Sequence, residues 1–190
     1  MIGFCHLPKT GGTSLVQGMR NAGMNVWVPT PPEGIEPWNV GNPKGDHLTW
    51  DQSPPKGTDV VAGHISAYTF DQFPEVTEWV TVVRHPVVRW LSHWYWINRN
   101  RSGNWNTPPS DLMTLMYGWH SYAEDHIRSM LSQWWFHSEL EQAAAWFGVA
   151  LPEARHKATM RPERVDAVLS SAVAAANSSD VEFWEWLTRE

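Results

Sequence analysis

The chain has 190 residues, 42% hydrophobic and 18% charged, with a formal net charge of −6 and one cysteine, Cys5. That is one ordinary domain's worth of core, so a disordered tail, a coiled coil and a disulfide framework are excluded, as is a multi-cysteine metal site. The acidic balance argues against broad, sequence-independent nucleic-acid binding, and the chain holds no run of about 18 apolar residues that could cross a membrane. With no basic lead or signal-length apolar run at Met1-Ile2-Gly3-Phe4-Cys5, a soluble cytoplasmic protein in a reducing compartment is the expectation. Residues 1 to 6 predict a short buried strand, Leu7 to Ser14 a tight loop, and Ser14 to about Ala22 a helix with Leu15, Val16 and Met19 apolar. Strand, glycine-containing loop and helix make the opening half of a βαβ unit. Asn25 to Val28 suits a second strand. From Pro29 to Lys56 the chain is rich in Pro, Gly and Asn with little periodicity, the mark of a functional or mobile loop.

Asp59 to Gly63 predicts a third buried strand, ending in His64. Trp79 to Val83 is the clearest strand, ending on Arg84. Pro86 then stands where a helix accepts its first residue, and Val87 to Asn98 carries helical apolar spacing. After a polar loop from Arg99 to Pro109, the chain turns helical over Asp111 to Phe136, Glu139 to Phe147, Pro162 to Ala176 and Asp180 to Thr188. The expected fold is one α/β domain over residues 1–190, a central parallel sheet flanked by helices with a helical C-terminal half.

Two strand ends carry chemistry. Lys9, Thr10, Gly11, Gly12, Thr13 and Ser14 are the parts of a phosphate cradle. Glycines let backbone N–H groups turn toward an anion, the following helix offers its positive N-terminal end, the hydroxyls add donors and Lys9 adds a point charge. A P-loop of the Walker type ends in Gly-Lys-Ser/Thr, whereas here the lysine precedes the glycines. The plainer reading is a polar turn before a capped helix. At the second strand end, Arg84 can fork onto a phosphate and Ser92, two turns into the next helix, can donate to it. Ligands of open α/β sheets bind outside the carboxyl ends of the strands, so both segments can face one crevice. Arg84 can equally serve a structural ion pair. Arg89, on the same helical face as Ser92, can assist it or pair with a carboxylate.

Together the two segments resemble the sulfotransferase superfamily, whose members use 3′-phosphoadenylyl sulfate (PAPS) as sulfuryl donor. His6-Leu7-Pro8-Lys9-Thr10-Gly11-Gly12-Thr13-Ser14-Leu15 is similar to the family's 5′-phosphosulfate loop (6–15). The stretch from Val82 to Tyr95 is similar to its 3′-phosphate motif (82–95), with the spacing from Arg84 to Ser92 intact and His85 where Asp or Asn is common. Ala62-Gly63-His64-Ile65-Ser66 (62–66) resembles the Gly-His segment of the carbohydrate 2-O-sulfotransferases of heparan sulfate type, where the histidine is the catalytic base. Asn177 to Trp184 is similar to the last helix of that group.

The resemblance implies a P-loop-like fold and an O-sulfotransferase with PAPS as donor, PAP as product and no metal. Lys9 would stabilise the leaving group and His64 would be the general base. Lys9, Thr10, Gly11, Gly12, Thr13, Ser14, Arg84 and Ser92 would bind the donor. The acceptor would be a hydroxyl of a small molecule or glycan, a carbohydrate by the Gly63-His64 segment. The chain is shorter than the Golgi members and lacks their anchor, suggesting a bacterial or viral soluble form. Its acidic balance suits polyanionic acceptors poorly.

Fourteen tryptophans are the compositional oddity. Trp90, Trp94 and Ile97 share one helical stripe and Val87, Leu91 and Tyr95 its neighbour, which reads as a buried helix. Trp27, Trp38, Trp50 and Trp105 lie in or beside predicted loops, where they could stack on adenine or a sugar face. His120, His126 and His137 lack zinc-ligand spacing. Arg128 can reach an anion or sit in a surface ion pair. Two other readings compete: a phosphate-loop nucleotide kinase, and a non-catalytic Trp-rich carbohydrate-binding module. A sulfotransferase-like protein that binds PAPS without turnover is compatible with the same residues.

Overall fold

The computed structural model describes residues 1–35, 49–50, 52–100, 110–117, 124–153 and 167–189. Strands β1 (Ile2–Cys5), β2 (Val26–Trp27), β3 (Val60–Gly63), β4 (Glu78–Val83) and β5 (Gln133–Phe136) form one sheet in the order β2-β3-β1-β4-β5. Every pairing is parallel, with Cys5 opposite Gly63 on one side and Thr81 on the other. Parallel strands must be joined by crossovers, and burial on both faces explains their near-continuous apolar composition. Side-chain alternation divides the core in two. Phe4, Val60, Ala62, Val80, Val82 and Trp135 face helices α1 (Gly12–Asn21) and α5 (Leu140–Trp146). Cys5, Val61, Trp79 and Val83 face the opposite layer, built from a 3-10 turn (Ala67–Gln72), α3 (Leu112–Tyr117), α4 (Glu124–Met130) and α7 (Ser178–Leu187). Helix α2 (Pro86–Asn100) packs Val87 and Leu91 against Val173 of α6 (Ala167–Ala176).

The α/β sheet expectation is met, but the single helix expected over Asp111 to Phe136 is not what forms. The chain makes α3 and α4 and then the edge strand β5, whose Val80–Gln133 to Val83–Phe136 register extends the sheet. Gln133-Trp134-Trp135-Phe136 explains the difference. Trp135 enters one core layer while Trp134 and Phe136 pack on the other, an alternation that bulky aromatics satisfy on a pleated surface. A short apolar run cannot be told from a helix by periodicity alone. Strand β2 is shorter than the Asn25 to Val28 span. Much of the Pro29 to Lys56 segment, the Arg99 to Pro109 loop beyond Asn100, and the start of the Pro162 to Ala176 helix lie outside the described residues.

Behind α2 a polar knot fastens the C-terminal helices. The Arg89 guanidinium, fully buried, lies 3.5 Å from the equally buried Asp180 carboxylate. Asp180 also accepts the backbone N–H groups of Met113 (3.1 Å) and Thr114 (2.7 Å), so it serves as the anionic cap of α3. Asp111 and Asn177 close the knot: Asp180 N–H donates to Asp111 Oδ1 at 3.1 Å, and Asp111 N–H donates to Asn177 Oδ1 at 3.2 Å. Burial lowers the Arg89 pKa and raises that of Asp180, each against the pull of its partner. Desolvation thus outweighs attraction, and the pair specifies which helix meets which more than it stabilises. Asp180→Ala, which strands the Arg89 charge, should cost about 3–5 kcal/mol in urea melts. The double variant Arg89→Met/Asp180→Asn should be less destabilised than Asp180→Ala, because no buried charge is left uncompensated.

Candidate functional site

Sheet order places the C-terminal ends of β3, β1 and β4 side by side, and each end delivers one sequence-predicted group. His64 follows β3, the Lys9 loop follows β1, and Arg84 follows β4. The loop turns on two left-handed residues, Lys9 at φ 70° and Gly11 at φ 94°. Positive φ comes freely to glycine and is uncommon for lysine, so Lys9 needs external support. Arg84 gives it: Nη1 donates to the Lys9 carbonyl at 2.9 Å. The Thr10 hydroxyl donates to the Leu7 carbonyl at 2.9 Å from a fully buried position. Thr10 therefore shapes the cradle through its side chain, leaving only its backbone toward a ligand. At Gly12 a Cβ would run into the His6 ring, so glycine is required for this close approach. Gly11 provides no side-chain cap to α1, and no acidic residue occupies its first turn, so the positive end of the ten-residue helix stays suited to an anion. Thr13 is half-buried at that end and Ser14 is buried.

His64 is oriented by the strand next door. The His6 N–H donates to the Gly63 carbonyl at 2.7 Å, and His64 Nδ1 bonds the His6 carbonyl in return. A carbonyl only accepts, so Nδ1 carries the proton and Nε2 is the basic nitrogen of the neutral ring. The His6 and His64 rings lie 4.6 Å apart, and His6 stacks on Phe4. Beside them opens a cleft of about 320 Å³ lined by Thr13, Val16, Val28, Pro29, Ala62 and His64 among others. It flanks β1 on the side away from Arg84.

On α2, Arg89, Ser92, His93 and Trp96 are spaced i, i+3, i+4 and i+7; Trp96 meets the loop at Lys9, while Arg89 turns to Asp180. Arg84, Ser92 and His93 are all buried, and Lys9 Nζ sits 5.6 Å from the Trp96 ring centroid. Sequence reading missed His6, His93 and Trp96. The helical spacing from Arg89 and Ser92 was the available signal, but it cannot say which face of a helix meets the loop. Arg89 proves committed to Asp180. Arg128 lies 4.6 Å over the Trp186 ring. Trp50 belongs to the core, its Nε1 donating to Thr69 at 3.0 Å, which removes it as a stacking platform, while Trp27 is half-buried and packs against that core. Trp38, Trp105 and His120 lie outside the described residues. Among those described, no group of three or more His, Cys, Asp or Glu side chains could hold a metal ion. Nor is any described helix long and apolar enough to cross a membrane.

No family profile matches the chain, and no curated protein matches it. Solved structures do. The sulfotransferase from Alicyclobacillus acidocaldarius superposes with a TM-score of 0.54 at 12% identity, over 98% of this chain and 94% of that one. Mouse sulfotransferase SULT7A1 complexed with PAP aligns with a TM-score of 0.38 at 12% identity, over 95% of this chain and 65% of that one. The likeness to the bacterial protein establishes the fold: a P-loop-like α/β domain with a five-stranded parallel sheet.

Burial first, then the positive charges of Arg89 and Lys9 and that of His64 once it is protonated, push His93 down from 6.5 to about 4. The folded state therefore resists a proton that the unfolded chain accepts below pH 6.5, so this residue's contribution to stability is present above that pH and is lost as pH falls toward 4. Urea unfolding from pH 7 to 4.5 should show a shallower loss for His93→Asn than for the parent chain.

Proposed function

We propose that the chain is a PAPS-dependent O-sulfotransferase. The observation that carries the reading is the juxtaposition of the Lys9 loop, His64 and Arg84 at three adjacent strand ends, with Arg84 bonded to the Lys9 carbonyl. It is supported by the resemblance of residues 6–15, 62–66 and 82–95 to the family's segments and by the shared fold. The residues present fit an adenosine bisphosphate donor. Gly11, Gly12 and Thr13 offer amides and the end of α1 to the 5′ group, with Lys9 and Ser14 beside them. Arg84 and Ser92 offer a guanidinium and a hydroxyl to the 3′-phosphate, the group that separates this donor from ATP.

Sulfuryl transfer, like phosphoryl transfer, is an in-line displacement governed by positioning and electrostatics. His64 Nε2 takes the proton of the acceptor hydroxyl as its oxygen bonds sulfur, and Lys9 offsets the charge growing on the departing bridging oxygen. The acceptor enters by the cleft beside His64, on the opposite flank of β1 from Arg84, which leaves the 3′-phosphate residues clear of it. A hydroxyl of a small molecule or glycan meets these demands, and the Gly63-His64 resemblance favours carbohydrate. The kinase reading lacks Gly-Lys-Ser/Thr after the loop glycines. The Trp-rich module loses Trp50 to the core.

Calorimetric titration with adenosine 3′,5′-bisphosphate, ADP and adenosine 5′-monophosphate tests the donor site. The bisphosphate should bind at least about tenfold more tightly than the two ligands lacking a 3′-phosphate, reflecting a charge-assisted contact. Equal affinity for all three would sink the assignment. Arg84→Ala should erase the difference. If it weakens all three alike, Arg84 acts only by bracing Lys9. With labelled PAPS and a panel of hydroxyl acceptors, His64→Ala should lower turnover by about 10²–10⁴-fold while bisphosphate binding persists. Undiminished turnover in that variant removes His64 as the base.

A further inference from the structure

His93 has no role in the scheme above, yet its position is unusual. It is only 6% exposed, and its Nδ1 is fully buried with no hydrogen-bond partner among the described residues. Leaving a polar nitrogen so placed is costly, and native structures keep few of them without cause. The ring lies on α2, next in sequence to Ser92 and 6.0 Å from Trp96 between ring centroids. Lys9 lies against the same Trp96, 5.6 Å from its centroid. Trp96 thus joins His93 to the lysine of the anion cradle. Arg89, Lys9 and His64 bear on His93 electrostatically, which locates it inside the cationic cluster. Kept neutral by its burial and by the neighbouring cations, the imidazole still has an N–H to offer to an anionic oxygen.

We propose that His93 is a further donor-binding residue, whose Nδ1–H hydrogen-bonds an oxygen of the 5′-phosphate end of the nucleotide, beside Lys9. The proposal rests on the PAPS-dependent reading. It assigns two neighbours in sequence to opposite ends of one ligand, Ser92 to the 3′-phosphate and His93 to the 5′ group. In the free protein Nδ1 is desolvated and without a partner among the described residues, so the nucleotide oxygen reaches it through a small shift of the ring or of the Lys9 loop, and the bond formed satisfies a group that is otherwise left costly.

The test is calorimetry of the full chain and of His93→Phe and His93→Asn with three probes: adenosine 5′-monophosphate, adenosine 3′-monophosphate and adenosine 3′,5′-bisphosphate. His93→Phe should bind the two 5′-phosphorylated probes about tenfold more weakly and the 3′-monophosphate unchanged, since a hydrogen bond to a charged group is lost. His93→Asn places an amide N–H near the position of Nδ1 and should restore most of the affinity. Equal weakening toward all three probes, or none, overturns the proposal while the bisphosphate binding of the parent chain leaves the donor reading standing. Failure of the parent chain to bind any probe overturns both. Should His93→Phe not fold, the ¹⁵N resonance of Nδ1 in histidine-labelled parent protein decides, identified by its disappearance in His93→Asn. It should shift on adding adenosine 5′-monophosphate and stay put with the 3′-monophosphate. An unmoved resonance overturns the proposal.

Discussion

Everything at the candidate site depends on β1 being hydrogen-bonded along both edges. Parallel pairing to β3 and β4 in matched register brings Cys5, Gly63 and Thr81 level, so the segments that follow leave the sheet together. The Thr81 hydroxyl donates to the Cys5 carbonyl at 2.8 Å and meets the Tyr117 hydroxyl at 2.6 Å, fastening this last rung from the helical layer behind it. The Cys5 thiol donates to the Ile65 carbonyl and is pushed up to about 12 by burial, so it is a structural thiol and not a reactive one. From that rung the His6 N–H reaches the Gly63 carbonyl, His64 bonds back to His6, and Arg84 reaches across to Lys9. Each functional group is positioned by a contact to the neighbouring strand's loop, not by its own.

The same arrangement concentrates positive charge. Lys9 and Arg84 meet at the start of α1 in a chain whose net charge is −6. Arg89 has a buried carboxylate, Asp180, and that partner is also occupied with the N-terminus of α3. Cations gathered beside a glycine-bearing loop are the electrostatic ground of the proposed donor site. Whole-molecule acidity and a local cationic pocket are compatible because screening confines each field to about 10 Å at ordinary salt.

The strand-loop-helix start, the strand ends at His64 and Arg84, and the spacing from Arg84 to Ser92 were all legible in the chain, because each is a local pattern of one element. The edge strand β5 was not, since Gln133-Trp134-Trp135-Phe136 becomes a strand only when β4 offers an open edge. Arg89 shows the same limit: its two candidate roles were separated only by Asp180, 91 positions away in sequence. Trp50 reads as a loop residue and is a core residue, because Thr69 and Phe73 come from elsewhere to cover it.

By itself, then, the sequence determined the class of fold, the strand-loop-helix form of the first loop with its glycines and lysine, and the identity of the cation at the fourth strand's end. Backbone preference, glycine placement and residue type act within a few positions, so they can be read there. Tertiary structure decided which tautomer His64 holds, which arginine braces the loop and which is consumed in the α3 cap, and that His93 and Trp96 face Lys9. Those outcomes follow from distance and burial between segments far apart in the chain, and no local pattern encodes them.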